Sequence, residues 1–114
     1  MGFFDSDIVR SEMTKISELQ EDIYKSVFAF STMGREERLK HVELLQELLN
    51  TQRVLYTRIS LSDDPEAVQM KEQIMMTAQM MGLSKGADMN TLFKNMEAMI
   101  GMMKSQIDRS GSDL

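Results

Sequence analysis

Residues 34–60 read GREERLKHVELLQELLNTQRVLYTRIS, and the spacing of their apolar side chains decides the fold. Leu39, Val42, Leu45, Leu49, Gln52, Tyr56 and Ile59 recur at steps of three and four, so they share one face of an α-helix. Glu36 and Glu37 suit the positive end of that helix's dipole. Leu44, Leu48 and Leu55 widen the stripe until nearly half the circumference is apolar. A helix of this length extends roughly 40 Å. A compact domain of the same chain length has a radius of gyration near ~13 Å. The helix therefore spans the domain, and its wide face calls for an antiparallel bundle. We expect the bundle to be dimeric, with Leu44, Leu48 and Leu55 as interaction candidates across an isologous interface.

The flanking segments continue the helical pattern. Upstream, Asp5 or Ser6 offers a cap for a first helix reaching Phe30. Its stripe runs through Ile8 or Val9, Met13, Ile16, Leu19, Ile23, Val27 and Phe30, and both Phe28 and Phe30 are expected to pack in the core or at its rim. Ser31-Thr32-Met33-Gly34 interrupts the period. Downstream, Ser62-Asp63-Asp64-Pro65-Glu66 has the chemistry of a helix start: Asp64 at the cap, Pro65 at the first helical position, Glu66 in the first turn. The third helix then reads to Met81, with Gly82 suited to a left-handed terminus and Leu83 folding back on it. Ser84 is the cap expected for a fourth helix running to about Ile107, its stripe being Met89, Leu92 or Phe93, Met96, Met99 or Ile100, Met103 and Ile107. The sequence reads as one all-α domain over residues 1–107, with about four helices, and a flexible tail over 108–114.

Composition removes most functional classes. The 114 residues carry 18 acidic and 13 basic side chains, a net charge of −5. The charge is spread evenly over both halves, so no basic stripe exists to bind nucleic acid. Acidity also disfavours anionic membrane surfaces, and no apolar run approaches the roughly 18 residues of a membrane span. Met1-Gly2-Phe3-Phe4-Asp5 lacks the basic and apolar regions of a secretory signal. Gly2 and Ser6 match the myristoylation pattern only in a form common by chance. A cytoplasmic location is expected.

With no cysteine and the single histidine His41, neither a catalytic constellation nor a metal site is legible. His41 lies among Glu37, Lys40, Glu43 and Glu47 and reads as a solvated helix-surface residue. Ten of the 13 methionines fall between Met70 and Met103. Their first reading is the core of the third and fourth helices, with Met96, Met99 and Met103 buried. A second is a surface that re-packs around a partner helix, which makes Met76 and Met80 interaction candidates. Soft-metal binding through thioethers has no cysteine and only His41 to support it. No cofactor is expected.

The block Met1-Gly2-Phe3-Phe4-Asp5-Ser6-Asp7-Ile8-Val9, the long second helix and the Leu61-Ser62-Asp63-Asp64 junction resemble a small all-helical family of unknown function from cyanobacteria and the phages that infect them. The resemblance covers residues 1 to about 107. It departs at Ser84-Lys85-Gly86, where family members carry a Thr-Pro helix start. It implies a cytoplasmic setting and supplies no catalytic residue. The expected role is a non-catalytic protein–protein interaction module, such as a phage- or cyanobacterium-encoded modulator of a host complex. The alternatives are a structural homodimer and, remotely, a metal-binding or enzymatic bundle.

Overall fold

The computed structural model describes residues 2–80, 82, 86 and 88–112, with side chains to residue 109. Among the described residues four helices make up the bundle: α1 (Asp7–Val27), α2 (Arg35–Leu61), α3 (Pro65–Met80) and α4 (Met89–Ser112). Short 3-10 turns at Phe3–Asp5 and Phe30–Thr32 flank α1. No strand occurs among the described residues.

The long helix α2 is the organising element. Every extensive helix–helix contact among the described residues involves it. Glu12 pairs with Arg58 near one end and Ser26 meets His41 near the other, so α1 runs antiparallel to α2. Arg53 pairs with Glu97 and Arg35 with Asp108, both at 3.1 Å, which makes α4 antiparallel to α2 along its other side. These ion pairs are partly exposed and contribute little energy each; their use is to set register. The core runs along α2 and α4 through Val42, Leu49, Phe93, Ile100 and Ile107, with Ala78 and Met89 joining from the α3 end. Tyr56 meets Phe93 edge-on, with ring centroids 5.8 Å apart.

The α2–α3 junction behaves as its residues predict and does more. Asp64 Oδ1 accepts the Glu66 N–H at 2.9 Å, the bond of an N-cap. Its other oxygen, Oδ2, accepts the Phe3 N–H at 2.8 Å, so one carboxylate caps α3 and ties down the N-terminal turn. At the far end of α3, Gly82 takes φ +111 and its N–H bonds the Gln79 carbonyl, the left-handed terminus that glycine allows. The expected end at Met81, the Leu83 contact and the Ser84 cap lie outside the described residues.

Several boundaries differ from expectation. The first helix stops at Val27 instead of Phe30, because the chain tightens into the 3-10 turn. That turn brings Phe30 inward, half-buried over His41, and leaves Phe28 83% exposed. The fourth helix starts at Met89, where the Asp88 side chain caps the Asn90 N–H at 3.2 Å. An earlier start is blocked by Gly86, whose φ of +89 is incompatible with a right-handed helix. At its other end α4 continues to Ser112, so residues 108–112 are helical and Asp108 is held by Arg35.

Candidate interaction groove

Because α1 and α4 both lean on α2 and make no extensive contact with each other, they leave a trough between them. It encloses about 850 Å³. Its floor is the α2 face carrying Gln52, Leu55, Tyr56 and Ile59. Ile16 and Gln20 of α1 form one wall, and Leu92, Phe93, Asn95 and Met96 of α4 the other. Met70, Ile74 and Ala78 of α3, with Gly82 and Met89, close one end. None of the lining residues carries a charge, in a chain of which 27% is charged. Polar groups there are neutral: the amides of Gln20, Gln52 and Asn95, and the Tyr56 hydroxyl, which is 3.8 Å from the Met75 sulfur. Such a lining suits apolar surface.

The structure places the expected interaction residues in three different settings. Leu55 lines the groove. Leu44 and Leu48 are half-buried on the α2 side bracketed by the α1 contacts at His41, Glu47 and Arg58, so α1 already covers much of that face. Met76 and Met80 are exposed, as expected for partners of a recognition surface, but they lie on the outer side of α3, away from the groove. The groove-facing side of that helix is Met70, Ile74 and Ala78.

Two methionines expected in the core are not there. Met96 is 38% exposed and Met99 65%, whereas Ile100 is buried. Neighbouring helical residues point about 100° apart, and the contact with α2 selects the Phe93–Ile100–Ile107 side of α4. Met103 is half-buried against the core. Met99 and Met102 therefore form an exposed apolar ridge that continues from the groove wall at Met96.

His41 is also a correction. It is 5% exposed instead of solvated. Its Nδ1 lies 2.8 Å from Ser26 Oγ, and its ring centroid is 5.3 Å from that of Phe30. The Ser26 hydroxyl also lies 3.2 Å from the carbonyls of Asp22 and Ile23. With the Ser26 O–H donating to a carbonyl, Oγ accepts the His41 Nδ1–H. The pair joins α1 to α2 inside the bundle, outside the groove lining, and has the geometry of a structural link. A signal was available: His41 precedes Leu44, Leu45 and Leu48 by three, four and seven positions, which puts it on their stripe. Its charged sequence neighbours point elsewhere. Among the described residues, no group of three or more His, Cys, Asp or Glu is placed to hold a metal ion. No helix there is long and apolar enough to cross a membrane.

A family model matches residues 1–107, from the N-terminal turn through α3 and most of α4. The chain belongs to the family described as Domain of unknown function (DUF1825). All the residues that line the groove fall inside the family's span, as do Asp64 and the Phe3 amide it holds. No curated protein and no solved structure matches the chain.

Proposed function

We propose that this protein is a non-catalytic helical interaction module that works by taking apolar helical surface from a protein partner into the groove over α2. The observation that carries this reading is the uncharged lining of an open trough of about 850 Å³. Left in water, that lining costs free energy roughly in proportion to its apolar area, and a partner that covers it recovers the cost. The trough is walled by two helices running the same way on a third, so an amphipathic helix is the natural occupant. Methionine on the wall and rim at Met70 and Met96 adapts to the occupant's side chains. In the cyanobacterial or phage setting implied by the resemblance, such a module would modulate a cellular protein complex from the cytoplasm.

The test is site-specific photocrosslinking in cells that naturally carry the gene. A photoreactive residue at Leu92 or Gln52 should yield protein adducts; the same residue at Glu18 or Lys40, both exposed outside the groove, should not. Absence of protein adducts from both groove positions, with the variants folded, would remove the groove from consideration.

A further inference from the structure

We infer that the occupant of the groove is a second copy of this chain, related by a two-fold axis that passes close to Met99 of α4. The inference rests on the groove being a protein-binding surface and names what binds. Three observations carry it.

The first is area. A folded monomer of 13.1 kDa presents about 6,400 Å² of surface by the usual scaling, whereas this chain presents 8170 Å², an excess of roughly 1,800 Å². A standard interface buries about 800 Å² per partner and obligate dimers bury more. The excess belongs to the whole elongated chain, 55 × 32 × 20 Å, and is large enough to supply one such face. The radius of gyration agrees: 16.5 Å against the ~13 Å of a compact chain of this length.

The second is shape. The groove wall at Met96 passes directly into the ridge of Met99 and Met102, which are 65% and 63% exposed. A groove with a ridge beside it on the same surface can pair with itself under a two-fold rotation: with the axis at Met99, Met99 meets its own copy and Met102 of each chain meets the Met96 rim of the other's groove. The two α4 helices then pass antiparallel, and each covers the Leu92–Met96 wall of its mate.

The third is charge. Two identical copies bring identical charges together, and this chain has a net charge of −5. An isologous interface therefore needs a face without acidic groups. The lining of the groove has none, and Met96, Met99 and Met102 extend the uncharged surface. The exposed acids Glu18, Asp22, Glu36, Glu37 and Glu43 lie on α1 and α2 outside it, and exposed Glu97 of α4, beside Met96 in the chain but not in the lining, is paired with Arg53. The patches left free by this arrangement, Tyr24 with Phe28 and Met76 with Met80, remain open to any further partner.

The absence of cysteine makes the geometry directly measurable. Light scattering at tens of micromolar should give twice 13.1 kDa; a 13.1 kDa species overturns the inference. Met99→Cys should form a disulfide-linked dimer under mild oxidation, because the two Met99 positions face each other across the axis. Phe28→Cys, more exposed than Met99 but on the far turn, should not. A dimer of doubled mass that cross-links through Phe28→Cys and not Met99→Cys places the interface elsewhere and also overturns it. Met99→Glu should retain its helical circular dichroism and weaken the dimer by about thirtyfold or more, as for a residue at an interface centre. Failure here separates from failure of the wider reading. A monomer that still gives adducts with other proteins from Leu92 keeps the interaction module and loses the second copy.

Discussion

Replacing Ile100 by alanine, and separately its neighbour Met99, tests which side of α4 belongs to the core. Ile100 is 8% exposed. Alanine removes three carbons there, about 2.4 kcal/mol of transfer free energy at ~0.8 kcal/mol each, and a cavity term brings the loss to about 3 kcal/mol. Met99 is 65% exposed, so only about a third of the ~2 kcal/mol for full burial is at stake, and alanine's better helix propensity offsets part of it. The net cost within one chain is under about 0.5 kcal/mol. A domain of this size is stable by roughly 6–17 kcal/mol, so both variants should fold. At about 4 °C per kcal/mol, Ile100→Ala should lower Tm by ~12 °C and Met99→Ala by no more than ~2 °C. Thermal unfolding followed by circular dichroism gives both shifts and urea unfolding gives the free energies, and unchanged m-values would show that the unfolding reaction is the same. The measurement is repeated at two protein concentrations, because association adds stability by mass action. The Ile100 loss should not depend on concentration, whereas any extra Met99 loss should grow with it. Equal, concentration-independent losses for the two variants would refute the assigned orientation of α4.

Three further outcomes are expected. Asp64→Ala removes the α3 cap and the acceptor of the Phe3 N–H together and should cost about 2–3 kcal/mol; Asp64→Asn, which caps as well, should recover part of it, and faster hydrogen exchange at the Phe3 and Glu66 amides would mark both lost bonds. His41→Ala should destabilise by about 2–3 kcal/mol, through the cavity beside Phe30 and the lost bond to Ser26; a change within ~0.5 kcal/mol in urea unfolding would return His41 to the surface. Mild peroxide oxidation, read by peptide mass spectrometry, should modify Met76 and Met80 first and Met89 last; Met99 and Met102 should react quickly only when the protein is diluted below its dissociation constant.

Much of the helical plan is present in short stretches of sequence, because the forces that set it act within a turn or two. The stripe of α2 is the 3.6-residue period written in leucines. The start of α3 is Asp64, Pro65 and Glu66 meeting the unpaired amides of a helix end, and the glycine after it takes the positive φ that its missing Cβ permits. Gly86, read from sequence as a weak point in the first turn of the last helix, takes φ +89, outside a right-handed helix, a conformation that its missing Cβ permits. In each case a residue's own conformational preference decides, with help only from its neighbours in the chain.

Tertiary contact decided what such preferences leave degenerate. Met99 and Ile100 are both apolar and adjacent, and the period of α4 tolerates either; the side that faces the core is whichever one α2 covers. His41 is buried because α1 and Phe30 close over it, from positions 15 and 11 residues away in the chain. The second bond of Asp64 reaches Phe3 across 61 positions, which no local pattern anticipates. The groove is the extreme case. It exists because α1 and α4 make no extensive contact above α2, and the absence of a close neighbour is a property of how helices are arranged in space, not of any residue that lines the gap.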